Sequence, residues 1–413
     1  MQPKFKRTKY ACYFSYLAMA SIFSLPPMLF LTFRETYGIS YTLLGTLVLI
    51  NFCTQMTIDL IFTFFAKFFN IKATVRVMPL LTSVGLLTYA LVPTLFPQHA
   101  YVGLVIGTVI FSVAAGLSEV LLSPVVASLP SENPERDMSA LHSLYAYGVV
   151  TVVLLSTAFF ALFGRENWMY LTLFWAALPL LSSLLFCLSP FPEVKLSADE
   201  ERQSTRGRKR AVGMALCVGC IFFGSCAENA MTNWISSYVE SALGISKTLG
   251  DILGLLLFGV LLGLTRTVYA KYGRNIQKVL FWGMAGAVVC YLTAALSPWP
   301  MLSLFACVLT GICTSMLWPG TLILMEEKFP APGVAAYALM AAGGDLGASI
   351  APQMLGVVVD TTAASGWAQT LAPTLSLSAE QLGMKVGMLT AVIFPVLGVL
   401  LLLYIRRYFK KTI

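Results

Sequence analysis

Tyr101-Val-Gly-Leu-Val-Ile-Gly-Thr-Val-Ile-Phe111-Ser-Val-Ala-Ala-Gly116-Leu-Ser-Glu119-Val-Leu-Leu-Ser-Pro124-Val-Val-Ala-Ser-Leu129 carries a single charge, Glu119. A helix needs about 20 residues to cross a bilayer, and this run is long enough. It lacks the strict alternation of a barrel strand. The rest of the chain repeats the pattern: 58% of its 413 residues are hydrophobic and 11% are charged, with a mean hydropathy of +0.79. Soluble domains carry about 25% charged residues. Soluble, disordered and disulfide-framework classes are therefore excluded, and an all-α polytopic membrane protein is expected.

Apolar runs separated by charged or Pro/Gly/Asn-rich breaks predict twelve spans. They lie at about 10–32, 41–66, 74–93, 101–129, 138–163, 168–189, 211–238, 249–270, 277–296, 300–325, 333–360 and 384–406. The longest charged loop follows the sixth. It divides the chain into a six-helix bundle over 1–189, a cytoplasmic linker over 190–210 and a second bundle over 211–413. With both termini cytoplasmic, the outside keeps only Arg34, Arg165, Lys247 and Lys385 of the 27 basic residues. Positive loops stay inside, so this asymmetry supports both the count and the direction. The +8 charge is then a topology signal rather than a nucleic-acid footprint. Short loops without an added domain suggest a bacterial inner membrane, and a monomer is expected.

The halves echo one another. Ala66-Lys-Phe-Phe-Asn-Ile-Lys72 follows the second span and Ala270-Lys-Tyr-Gly-Arg-Asn-Ile-Gln-Lys278 the eighth. Gly116 and Pro124 in the fourth span match Gly311 and Pro319 in the tenth. At the same offset, Gly148 in the fifth matches Gly343 in the eleventh. Repeated halves around a central site are the signature of secondary transporters.

Six plus six spans, basic loops after spans two and eight and a charged central loop resemble the major facilitator superfamily over the whole chain. Two segments resemble its fucose-permease group of sugar–proton symporters. They are Leu141-His-Ser-Leu-Tyr145-Ala-Tyr-Gly148 and Gly224-Ser-Cys-Ala-Glu228-Asn-Ala-Met-Thr-Asn-Trp234-Ile-Ser-Ser-Tyr238. The resemblance implies that the fourth-span acid carries the proton. The chain departs from the group in its first span, which has no acid and offers Tyr13, Ser15, Tyr16, Ser21 and Ser24.

A carboxylate at mid-span costs at least about 2.5–3.5 kcal/mol and needs a reason. Glu119 shares a helical face with Thr108, Ser112, Gly116 and Ser123, a small-polar stripe suited to an aqueous cavity. It reads as a proton-coupling acid, a binding acid or a structural one, with His142 either an interfacial residue or its relay partner. Glu228 lies beside Asn229, Asn233 and Trp234. Asn groups match sugar hydroxyls, and an indole can stack on a sugar face. The alternative is a polar cluster gluing helices together. Asp345, among Gly343, Gly344, Gly347 and Pro352, reads as part of a hinge or as a substrate or cation contact. Asn51, Gln55, Tyr145, Trp318 and Gln353 are further cavity candidates. Asp59, Asp251 and Asp360 sit nearer span ends, within reach of water.

No nucleotide-binding, metal-ligand or nucleophile-elbow pattern is present, so neither an enzyme nor a resident cofactor is expected. Cys217-Val-Gly-Cys220 lies inside a span and reads as packing. Arg266 falls at the cytoplasmic end of the eighth span, which leaves the spans without a buried base and disfavours an organic-anion carrier. The expected function is transport of a small polar solute, a sugar or polyol, by alternating access with proton (or sodium) symport. Efflux of cationic amphiphiles by proton antiport is the alternative.

Overall fold

The computed structural model describes residues 5–65, 68–131, 134–192, 208–329 and 334–412. Among these residues every regular element is helical, and no strand occurs. Twelve long helices follow the twelve predicted spans. The first six are α1 (Lys6–Tyr37), α2 (Tyr41–Phe65), α3 (Ile71–Leu95), α4 (Ala100–Ala127), α5 (Pro134–Phe163) and α6 (Trp168–Cys187). The seventh, α7, runs Arg208–Ser241. The eighth, α8, joins Lys247–Leu249 to a π-helical turn over Gly250–Leu256 and an α-helix over Leu257–Tyr272. Then come α9 (Ile276–Leu296), α10 (Pro300–Thr314 and Leu317–Lys328), α11 (Val334–Ala364) and α12 (Ala379–Ala391 and Ile393–Thr412). Ten of these stretches are long and apolar enough to cross a membrane outright. In α5 the apolar part is Tyr147–Phe163, while α11 is diluted by Gly343, Gly344, Asp345, Gln353 and Asp360.

Local chemistry sets the ends and breaks. Gly38, at φ 66°, closes α1 in a left-handed conformation and returns its N–H to the Arg34 carbonyl, a backbone geometry that costs glycine nothing. Pro319 has no N–H for the carbonyl one turn back. That carbonyl belongs to Ser315, where α10 breaks. Pro395 does the same to Ala391, where α12 is interrupted.

The residues form two compact units, Met1–Gly38 with Ile50–Ala198, and Ile39–Leu49 with Asp199–Ile413. The first part of α2, residues 41–49, thus belongs with the second unit. There the Asp360 carboxylate of α11 accepts from the Tyr41 and Thr42 amides at 3.2 and 2.6 Å. An acid on exposed helix-start amides satisfies them and meets the positive end of the helix dipole. Asp360 is therefore a cap rather than a water-facing charge. The predicted linker, 190–210, falls for the most part (193–207) outside the described residues.

Each unit is built the same way. In the first, α1 packs on α5 and α6, and α3 on α4 and α6. In the second, α7 packs on α11 and α12, and α9 on α10 and α12. The sequence repeats are the contact points. A Cβ on Gly148 would stand 2.7 Å from the Leu17 carbonyl of α1, and one on Gly343 2.7 Å from Val218 of α7. A Cβ on Gly116 would stand 2.9 Å from Ile58 of α2, and one on Gly311 2.5 Å from the Phe258 carbonyl of α8. Only glycine permits these approaches. The loop repeat has a parallel role: Asn70 caps α3 by accepting from Ala73 N–H at 3.1 Å, and Asn275 caps α9 by accepting from Lys278 N–H at 3.2 Å.

Candidate functional site

In the first unit, Glu119 is the open acid. Its side chain is exposed on α4, while Leu117, Ser118, Leu121 and Leu122 around it are buried. A carboxyl facing lipid would be costly. Beside it stands Tyr16 of α1, buried and hydrogen-bonded to Ser123, one turn beyond Glu119. The outer part of the predicted stripe turns inward instead. Ser112 is fully buried and donates to Asn51 Oδ1 at 2.6 Å, and Gln55 Nε2 donates to the same oxygen at 3.0 Å. Asn51 and Gln55 thus tie α2 to α4 in a buried polar cluster, rather than lining open space. Tyr145 is half-buried, edge-on to Phe23 at 5.8 Å. The His142 side chain lies outside the described residues.

In the second unit, Glu228 is paired. Arg266 Nη2 lies 3.3 Å from its Oε1 and 3.4 Å from its Oε2. Arg266 Nε donates at 2.8 Å to the Ser315 carbonyl. This is the carbonyl that Pro319 leaves without its helical partner. The sequence reading placed Arg266 at the end of its span. From there its long side chain reaches the Glu228 carboxylate and the break in α10. A base therefore does pair with the carboxylate of the seventh span.

The asparagines spend their donors locally. Asn229 Nδ2 bonds the Ser225 carbonyl and hydroxyl at 3.1 and 3.2 Å, and Asn233 Nδ2 bonds the Asn229 carbonyl at 2.9 Å. Trp234 is 0% exposed. Its indole N–H donates to the Pro352 carbonyl at 3.0 Å, and its ring tilts against Tyr41 at 5.5 Å. A ring sealed this way has no face for a sugar, so the predicted stacking platform is a packing anchor. Trp318 is half-buried, with its ring against Gly344, where a Cβ would collide with it. Gln353 is half-buried, and its Oε1 faces Gly45 with no hydrogen-bond donor among the described residues. Asp345 is buried on α11, on the segment whose Gly343 lets α11 approach α7.

One buried charge pair was missed. Asp251, 1% exposed, and Lys247, 6% exposed, lie 3.3 Å apart. Ser236 of α7 bonds Asp251, and Lys247 bonds Ser236 at 3.1 Å. These were read as groups near water or headgroups. The i,i+4 spacing was visible, but the π-helical turn that carries Asp251 was not. Asp59, at 9% exposure, is also buried. Among the described residues no His/Cys/Asp/Glu cluster could hold a metal ion, and the nine cysteines are free thiols.

The family model of the Major Facilitator Superfamily matches residues 11–352. The chain belongs to the major facilitator superfamily. As a facilitator it is a multi-pass membrane transporter, and its repeated bundles have known counterparts. A bacterial homolog of the human lysosomal transporter Spinster, inward-facing and occupied, superposes with a TM-score of 0.80 at 13% identity, covering 100% of this chain and 98% of that one. A D-xylose–proton symporter gives 0.73 at 15% identity, covering 94% and 96%. The E. coli fucose:proton symporter gives 0.57 at 14% identity, covering 96% and 99%. At these identities the likeness is one of fold. No curated protein is significantly similar to this facilitator in sequence.

Proposed function

We propose that this facilitator moves a small polar solute of the sugar or polyol class by alternating access, coupled to proton symport. The observation that carries the reading is Glu119. It is an open carboxyl on an otherwise apolar helix, held beside the buried Tyr16 and Ser123 and free of a basic partner among the described residues. Such a carboxyl can exchange a proton with water and bear it across as a neutral group, so net charge is not left inside the bilayer. Glu228 and Arg266 supply the polar groups of the second bundle. Two solved neighbours are named as xylose–proton and fucose:proton symporters, which supports the class without fixing the sugar. The protein is further read as a monomer of a bacterial inner membrane with both termini in the cytoplasm. The test is proton uptake by proteoliposomes, followed with an internal pH dye, on addition of a panel of sugars and polyols. Solute-dependent internal acidification supports symport. Alkalinisation on addition of cationic amphiphiles, with no response to any sugar, would favour the efflux alternative.

A further inference from the structure

The Arg266 guanidinium is only partly used. Of its five N–H donors, Nε is fixed on the Ser315 carbonyl at 2.8 Å and Nη2 reaches Glu228 at 3.3 and 3.4 Å. Charge-assisted bonds of this type close to about 2.7–2.9 Å when they are tight. The pair is therefore loose, and it is formed through one nitrogen rather than as a two-pronged fork. Nη1 has no hydrogen-bond partner among the described residues. The Arg266 side chain is 40% exposed and that of Glu228 18%, so the pair is not sealed in the core. It also sits at an interrupted helix. Broken helices within the span are where secondary transporters place their ligands. The Ser315 carbonyl holds Nε and so orients the fork; the carboxylate of Glu228 occupies only one of its positions.

We propose that Arg266 is the anchor for a carboxylate on the transported solute, which takes the place of Glu228 on the guanidinium. This rests on the transport reading above and narrows its substrate to sugar acids, polyhydroxylated solutes with one carboxylate. The charge arithmetic selects the carboxylate. Once Glu228, released from the guanidinium, takes up a proton, one guanidinium balances one negative charge, whereas a phosphate ester brings about 1.5–2 at neutral pH. A planar fork also matches a carboxylate through two parallel bonds, which Glu228 does not make here.

The test is ligand-induced thermal stabilisation of the full-length protein in nanodiscs. The probes are D-glucuronate, D-galacturonate, D-gluconate, D-glucose and D-glucose 6-phosphate, and the proteins are wild type, Arg266→Gln, Arg266→Lys and Glu228→Gln. At least one of the three sugar acids is expected to bind in preference to glucose and to the phosphate ester. Arg266→Gln should weaken that sugar acid by roughly 10- to 150-fold, the range for losing hydrogen bonds to a charged group. Arg266→Lys should recover part of the loss, and Glu228→Gln should tighten sugar-acid binding by removing the internal competitor. If Arg266→Gln does not fold, the sign of the Glu228→Gln effect decides alone. Stabilisation by none of the sugar acids, preference for glucose or glucose 6-phosphate, or weaker sugar-acid binding in Glu228→Gln would each overturn the proposal. Proton-coupled uptake of neutral glucose would overturn it while leaving symport intact. Arg266-dependent glucuronate binding without proton movement would sustain it and remove the symport reading instead.

Discussion

Arg266 and Glu228 meet through a single nitrogen of the guanidinium at 3.3 Å, and they meet because Pro319 leaves the Ser315 carbonyl free to hold Arg266 Nε. A proline in one helix thereby fixes a charge from a second helix against an acid of a third. The chain of cause runs from a missing backbone N–H to the electrostatics of the second bundle.

Trp234 is expected to matter for stability rather than for solute affinity. Trp234→Phe removes the hydrogen bond to Pro352 but keeps most of the buried ring. The melting temperature of the purified protein should fall by the equivalent of about 1 kcal/mol, with solute affinity unchanged once folding is matched. Weakened affinity at unaltered stability would restore the stacking role suggested by the sequence.

Gly148 and Gly343 should respond alike. Valine at either position drives a Cβ into the neighbouring helix, and overpacking of this type costs about 1–3 kcal/mol. Both variants should lose thermal stability by similar amounts, read by fluorescence-detected unfolding. A large loss at one and none at the other would break the structural equivalence of the two halves.

These glycines show how much of the fold was legible. Gly116, Gly148, Gly311 and Gly343 mark close approaches through the absence of a side chain, and Asn70 and Asn275 mark helix starts through local hydrogen bonds. Such features act within one turn, or need no rotamer, and so they survive as pattern. The site was less legible, because spacing gives a face but not what the face meets. Asn51 and Trp234 share faces with plausible cavity residues, yet they are turned into α4 and α11 by packing that no local pattern encodes. Arg266 sits near the end of its span by count, and only the three-dimensional position of the α10 break brings it inward.

Asp137 carries a pH dependence. Burial pushes its carboxyl up, but hydrogen bonds from Lys9 and Ser131, each 2.8 Å, together with the Lys9 charge outweigh this and hold it below its ordinary value of 3.8. A depressed carboxylate contributes stability that is fully present above its unfolded pKa and is lost as the pH falls through the folded one. Melting temperature should therefore drop below about pH 4, and Asp137→Asn should lower it at pH 7 and reduce the acid-induced drop. An unchanged acid profile in that variant would remove the Lys9–Asp137 pair as a source of stability.

Orientation can be read by single-cysteine labelling in a background where the nine native cysteines are replaced. Gln98 and Arg274 are exposed at opposite ends of their bundles' helices by the span count. Gln98→Cys should react with an impermeant maleimide from outside intact cells, and Arg274→Cys only after permeabilisation. The reverse pattern would invert the inside assignment of the basic loops.

The most direct measurement compares gradient-driven uptake with exchange in Glu119→Gln proteoliposomes, using the solute that acidifies wild-type vesicles. Glutamine keeps the shape and hydrogen bonding of the neutral acid but cannot titrate. Accumulation against a concentration gradient under an imposed pH gradient should vanish, while equilibrium exchange of labelled solute persists, because exchange returns the carrier loaded and needs no proton release. Gradient-driven accumulation that survives in Glu119→Gln would contradict the account.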